Sequence, residues 1–366
     1  MSRSAARQIR RRSTSAPPPP DFVHDNLPGR VVFGAGAAEE HLLAELDRLQ
    51  VRSVLTISSH SQIGTAKRIA AVLAERDLGV LDLGDRPSNS NPTAAVVDSV
   101  RGTAGSGLLV IGGGSAICHA KTAAVAAQVP LVAIPTTYSG AELSPSYESN
   151  DGAQRCCSPQ ALPSAVIYDP QLTFTLTPEL TGSSAMSALA NGVEALCCTN
   201  GSPVSALIAE EGIRHIAEGT RDSVLHPDGL VGRSLTQFGA YLTGASAAVT
   251  NPGLLQTVSE AVVDVSGVSY ADARAVIVPH YLAAQRNPRP LVLAAIAAAL
   301  NRDDAVAGLH EFAEDVGAPR CLANVGMTAE HIGAVIDHCR KRTRNRTHTG
   351  VEKALPDILH AALVRS

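Results

Sequence analysis

The sequence predicts an α/β layer followed by a wholly helical half. Three observations carry this. Short β-branched runs alternate with amphipathic stretches up to about residue 170, strand signals almost vanish beyond it, and the unbroken apolar run at 108–111 has the composition of a parallel strand covered on both faces. With 366 residues, 45% hydrophobic and 17% charged, the chain can bury a sizeable core. That length suits two domains of roughly 100–200 residues each. No apolar run reaches the ~18 residues of a membrane span, so no membrane partner is expected.

In chain order, residues 1–20 hold five arginines and no acid, end in four prolines and lack the apolar stretch of a secretory signal. Their composition suits a disordered tail, with a transit peptide as the other reading. The α/β layer is expected over 21–170 and the helical domain over 171–366. Val31, Val32 and Phe33 give the first strand signal, before Gly34-Ala35-Gly36 and an amphipathic helix at 37–49. A strand at 53–57 leads to a helix at 62–75, where Ile63, Ala66, Ile69, Ala70 and Leu73 share one face. A strand at 79–83 precedes a helix at 93–101, which follows Pro92. The strand at 108–111, a helix at 116–127 and a strand at 131–135 complete the alternation. After Asp169-Pro170, helical spacing recurs over 178–196, 203–219, 231–248, 254–265, 270–284, 290–300, 303–316 and 328–339.

Charge and cysteine usage narrow the function classes. Residues 21–366 carry 25 basic and 34 acidic side chains, a net charge of −9, which excludes the basic face of a nucleic-acid binder. The seven cysteines are odd in number, include two adjacent pairs and contain no C-x-x-C. That pattern argues against a disulfide framework or a thiolate zinc site and suits a reducing cytoplasm.

Two segments have the makings of a ligand site. At Gly112-Gly113-Gly114-Ser115 a buried strand ends in three glycines and a hydroxyl where a helix begins. Glycine admits close backbone approach, and a helix N-terminus offers unpaired N–H groups to phosphate. The same residues would serve a tight turn with no ligand. Gly34-Ala35-Gly36 is a weaker copy. The second segment, Pro135 to Pro145, sets five hydroxyl-bearing residues in a loop after an apolar strand, as a site lip or a polar surface turn.

With these motifs in view, the chain resembles a known family. IGGGSAICHAK, AIPTTYSGAELSP, VIYDPQLT, SALANGVEAL and SALIAEEGIRHIA stand in the order and spacing of the iron-containing alcohol dehydrogenase superfamily, with a maleylacetate reductase-like character. The resemblance implies an α/β dinucleotide-binding domain, an all-helical C-terminal domain as in dehydroquinate synthase-like folds, and an NAD or NADP cleft between them. It also implies a homodimer. Gly113, Gly114 and Ser115 inherit the pyrophosphate role. Thr136, Thr137 and Tyr138 inherit the adenosine and ribose side, with Lys121 capping the same region. Asn91 falls in the stretch near substrate and nicotinamide. Asp82 and Asp85 could repel a 2′-phosphate and Arg86 could attract one, so both cofactors stay open.

Departures from the family matter more. Its metal-dependent members hold a divalent ion with Asp and three His. In this chain those positions fall on Ser187, Asn191, Gln256 and Tyr270, and a further active-site His falls on Glu260. Hydroxyl, amide and phenol groups are poor ligands for iron or zinc, so no metal is expected. The leading expectation is an NAD(P)H-dependent reductase of a small oxo or enoyl carboxylic acid. Tyr270 or Glu260 would donate the proton, and Asn191 and Gln256 would bind substrate. The alternatives are a metal-free dehydratase, cyclase or decarboxylase, or a non-catalytic homologue. His280 is a further candidate acid. Glu194, three residues after Asn191 on the same helix face, is expected to bond across helices.

Overall fold

The computed structural model describes residues 29–83, 93–149, 155–250, 253–343 and 351–364. The first half runs β1 (Val31–Phe33), α1 (Ala37–Arg48), β2 (Ser53–Ser58), α2 (Ile63–Leu73), β3 (Asp77–Asp82) and α3 (Thr93–Arg101). It continues with β4 (Ser106–Gly112), α4 (Gly114–Ala127), β5 (Leu131–Pro135), β6 (Ser146–Glu148), β7 (Arg155–Cys157) and β8 (Ala165–Tyr168). Six strands form one parallel sheet in the order β1-β8-β5-β4-β2-β3, and β6 and β7 pair as a separate antiparallel ribbon.

The period of two along β4 and β5 decides which helices cover which face. Leu109, Ile111, Val132 and Ile134 pack with Leu42, Leu46 and Ile69 of α1 and α2. Their neighbours Leu108, Val110, Leu131 and Ala133 face Val96, Ile117 and Ala120 of α3 and α4. β4 thus needs apolar residues throughout, which is why its run is unbroken. Ser58 pairs with Ile111 and Gly112 with Pro135, so the C-terminal ends of β2, β4 and β5 lie in one row. β2 neighbours β4 although β3 intervenes in the chain, and a crevice opens where the winding reverses between them.

The second half contains α5 (Pro178–Cys197), α6 (Pro203–Leu225), α7 (Leu230–Ala248), α8 (Leu254–Ser266) and α9 (Tyr270–Ala284). α10 (Pro290–Leu300), α11 (Ala305–Asp315), α12 (His331–Thr343) and α13 (Leu355–Leu363) follow. Their core gathers Met186, Leu189 and Val193 of α5 with Ile213, Ile216, Val258, Val262, Ile277 and Phe312. α6 and α7 meet backbone to backbone. A Cβ on Gly219 would stand 2.6 Å from Thr236 N, and one on Gly239 would stand 2.7 Å from Gly212 O. No helix among the described residues is long and apolar enough to cross a membrane.

The parallel layer and helical half match the expected architecture. β6, β7, β8 and α13 did not stand out in the sequence. β6 and β7 have three residues each and β8 only four, too few for an alternation to show. α4 starts at Gly114, two residues before the expected helix, because the glycine turn itself enters the helix.

Candidate active site

The glycine turn sits at the end of β4, in the crevice. Gly113 is the N-cap of α4 and forms no side-chain cap bond, and Ser115 in the first turn is exposed. The N-terminal N–H groups of this 14-residue helix therefore lack the side-chain acceptor that capping would supply. A Cβ on Gly113 would meet Thr137 Cγ2 at 2.9 Å, and one on Gly114 would meet Ser139 Oγ at 3.0 Å. The glycines thus let the loop after β5 close over the turn as well as baring the helix end. Beside Gly113, Thr137 Oγ1 is buried without a hydrogen-bond partner. An uncapped helix start, an orphaned hydroxyl and a surface free of Cβ atoms together fit a pyrophosphate group.

The Gly34–Gly36 turn is different. Asp169 Oδ1 accepts from Gly36 N at 3.0 Å and Oδ2 from Ala38 N at 3.2 Å. A carboxylate of the chain itself fills the N-terminus of α1, which corrects the phosphate reading of that turn.

The loop from Thr136 to Ser144 is held from both sides. Thr136 N donates to Gly112 O at 3.0 Å, and Tyr138 N donates to Ser184 Oγ of α5 at 2.9 Å. The Tyr138 phenol turns away from the crevice. It is buried in the helical core, donates to Thr173 Oγ1 at 3.3 Å and accepts from Arg233 Nη1 at 3.4 Å. Its expected ribose-side role is therefore corrected, since this phenol ties the loop to α7. Lys121 is also buried, and its Nζ donates to Ala141 O at 3.0 Å and Ser144 O at 2.6 Å. It holds the loop from behind instead of capping a cofactor. Burial pushes the Lys121 ammonium down and the Glu142 carboxyl up, and Tyr168 OH donates to Glu142 at 2.7 Å.

Ser187 and Asn191 lie on α5, Gln256 on α8 and Tyr270 on α9. Asn191 Nδ2 donates to Ser139 O at 3.4 Å, which connects α5 to the loop over the glycine turn. Ser187, one turn earlier, is buried. Glu194 Oε1 accepts from Gln256 N at 2.9 Å, and the amides of Gly253 and Leu255 also bond this carboxylate. Glu194 thereby caps α8 from α5, the cross-helix bond expected for it. Burial raises its carboxyl pKa, while Arg274 and the amides draw it back. Arg274 Nη2 lies 3.7 Å from Glu194 Oε2, and Arg274 Nη1 donates to Tyr270 OH at 3.0 Å.

Glu260 is occupied. Gln256 Nε2 donates to its Oε1 at 2.8 Å, Arg342 Nη1 donates to its Oε2 at 2.6 Å, and Arg155 of β7 closes onto Oε1. A carboxylate clasped by two guanidiniums is a poor proton donor, so the expected donor role of Glu260 is corrected. The Arg155–Glu260 pair joins β7 of the α/β half to α8. His280 is set aside as well. Burial and the neighbouring His310, with ring centroids 5.3 Å apart, push it down to about 4, so it carries no proton to give near neutrality.

Arg274 and Arg155 did not emerge from the sequence. Arg274 had one available signal: it lies four residues after Tyr270, on the same helix face, in an otherwise apolar stretch. Asn91, Asp85 and Arg86 lie outside the described residues. Asp82 pairs with His60 Nδ1 at 2.8 Å at the ends of β2 and β3.

The donor set does not fit a catalytic iron or zinc. Ser187, Asn191, Gln256 and Tyr270 offer a hydroxyl, two amides and a phenol, and the adjacent guanidinium of Arg274 opposes a second cation. No cluster of three His, Cys, Asp or Glu able to hold a metal occurs among the described residues.

Residues 28–170 match the family described as iron-containing alcohol dehydrogenase, and residues 181–363 match the Fe-containing alcohol dehydrogenase family, C-terminal. A maleylacetate reductase from Burkholderia cepacia is 35% identical over 86% of this chain and 90% of its own length. Maleylacetate reductase 2 from Cupriavidus pinatubonensis is 33% identical over 83% and 86%. The crystal structure of maleylacetate reductase from Agrobacterium tumefaciens superposes with a TM-score of 0.85 at 28% identity, covering 94% of this chain and 98% of that one.

Proposed function

The chain belongs to the iron-containing alcohol dehydrogenase family and is an oxidoreductase, and from that premise we propose that it reduces a small oxo or enoyl carboxylic acid of the maleylacetate class, using NADH or NADPH and no metal ion. The observation that carries this reading is the Ser139–Asn191 contact. It sets the uncapped start of α4 next to a polar cluster whose fixed cation is a guanidinium.

Gly113, Gly114 and Ser115 hold the pyrophosphate through backbone N–H groups, and Thr136 and Thr137 line the adjoining side, where the unused Thr137 Oγ1 supplies a hydrogen bond. When bound, the nicotinamide supplies hydride. Tyr270 then donates the proton from its phenol oxygen, with Arg274 3.0 Å away compensating the negative charge left behind. Asn191 orients the substrate oxygen from α5. The reaction should proceed in a purified assay as oxidation of NADH or NADPH on addition of maleylacetate. Tight cofactor binding with no oxidation by any oxo acid would refute the reductase reading.

Ser115→Asp tests the cofactor site without disturbing the fold. Gly114 is unsuitable, because a side chain there strikes Ser139. Ser115 is exposed, and an acid in the first turn favours the helix by about 0.3–1 kcal/mol. The same charge repels a pyrophosphate. NADH fluorescence titration should show Kd raised at least about tenfold, or about 1.4 kcal/mol, with the melting temperature unchanged or higher. Equal binding by variant and wild type would place the cofactor elsewhere.

The sheet edge supports the expected homodimer. β1 is an edge strand, and Phe33 (39% exposed) meets Phe238 (36% exposed) edge to face at 5.8 Å between ring centroids, with the exposed Val231 on the same helix as Phe238. An apolar patch beside an open edge suits a second copy of the chain. Sedimentation at micromolar concentration should give twice the 37.8 kDa chain mass; a single 37.8 kDa species would refute the dimer.

A further inference from the structure

The junction of α5, α8 and α9 contains a cation whose hydrogen-bonding capacity is only partly used. Arg274 is 3% exposed, and its Nη1 donates to Tyr270 OH at 3.0 Å. Its Nε and Nη2 are buried and have no hydrogen-bond partner. These two N–H groups form one edge of the planar guanidinium, the edge that receives both oxygens of a carboxylate. Folded proteins seldom leave such donors buried and unused unless something else occupies them.

Glu194 does not fill that edge. Its Oε2 stays 3.7 Å from Nη2, beyond a hydrogen bond, and its carboxylate is engaged by the amides of Gly253, Leu255 and Gln256 at the start of α8. The negative charge is thus partly offset by a helix N-terminus, and the guanidinium keeps positive charge for another anion. The nearby Glu260 is already clasped by Arg155 and Arg342. Asn191 lies three residues before Glu194 on α5 and reaches Ser139 in the loop over the glycine turn, so the free edge belongs to the cluster that borders the cofactor turn.

We propose that Arg274 grips the carboxylate of the substrate through Nε and Nη2, and so makes this chain selective for oxo or enoyl acids over their neutral counterparts. This rests on the reductase reading above. It assigns to a guanidinium the fixed positive charge of the pocket and gives Arg274 a direct contact with substrate. Tyr270, bonded to the opposite edge of the same guanidinium, is held at a set distance from the anchored acid.

The experiment compares wild type, Arg274→Lys and Arg274→Gln, each first shown by NADH fluorescence to bind cofactor normally. With maleylacetate, KM should rise about 10- to 100-fold in Arg274→Gln, the loss expected for a charge-assisted pair, and Arg274→Lys should recover only part of it. With the dimethyl ester, wild type and Arg274→Gln should have similar KM values. An unchanged KM for the acid, or an equal loss on acid and ester, would overturn the proposal. A second arm needs no turnover: calorimetric titration of the NADH-loaded protein with maleate, a dicarboxylate that cannot accept hydride at a carbonyl. Binding by wild type that is lost in Arg274→Gln supports the anchor even if no oxo acid is reduced, in which case only the reductase reading fails. Reduction of maleylacetate with Arg274→Gln kinetically unaltered supports the reductase and removes the anchor. Should both variants fold poorly, wild type alone decides: absence of maleate binding, or equal KM for acid and ester, overturns the proposal.

Discussion

Lys121→Met should lower the stability of the protein by about 2–4 kcal/mol in urea unfolding and weaken NADH binding by more than about tenfold. Nζ of the buried Lys121 donates to the carbonyls of the half-buried Ala141 and Ser144. A methionine fills much the same volume but leaves both carbonyls unpaired, at roughly 1–3 kcal/mol each. The opposing effect is relief from burying an ammonium, whose pKa burial already lowers. The unpaired carbonyls outweigh it, because the ammonium also interacts favourably with Glu142 in the same loop. The cofactor effect follows from position. Ala141 Cβ lies 3.7 Å from where a Cβ on Gly114 would stand, so a loosened loop no longer backs the glycine turn. Normal cofactor affinity in a destabilised variant would separate the loop from the cofactor site.

Arg233→Met should cost more, about 3–5 kcal/mol in urea unfolding. Arg233 is wholly buried, and all its acceptors are neutral: Thr181 Oγ1 at 2.7 Å, Pro227 O at 3.1 Å, Leu176 O at 3.2 Å and Tyr138 OH at 3.4 Å. A cation held without a carboxylate is stabilised only by this set of dipoles, and the same dipoles are left unpaired when it goes. The acceptors come from three separate stretches around α7, so their release loosens the packing of both halves. Loss of less than about 1 kcal/mol would mean that water replaces the guanidinium at little cost.

What could be read from the residues was local and repetitive. β4 and its glycine turn were legible because an unbroken apolar run followed by three glycines has few other uses. The long helices α5 to α10 were legible from their 3.6-residue spacing. The errors came from pairs far apart in sequence. Asp169 caps α1 from 133 residues away, so the Gly34–Gly36 turn looked like an open anion site. Arg342 reaches Glu260 across 82 residues, and nothing near Glu260 announces that its oxygens are taken. Tyr138 stands in a loop of hydroxyls, yet its ring goes to the helical core because Arg233, 95 residues later, offers the phenol a partner there. Arg274 had a visible spacing from Tyr270 but no sign of its unfilled edge, which depends on how α5, α8 and α9 meet.

In the proposed reaction a guanidinium stands in place of a metal ion. Elemental analysis of the purified protein, paired with the rate of NADH oxidation by maleylacetate before and after dialysis against EDTA and o-phenanthroline, tests it most directly. Ser187, Asn191, Gln256 and Tyr270 offer only neutral oxygen and amide groups, which compete poorly with water for a divalent ion. Well under one equivalent of iron or zinc per chain and an undiminished rate after chelation are expected. One equivalent of either metal, lost on dialysis together with activity and restored with it on re-addition, would contradict it.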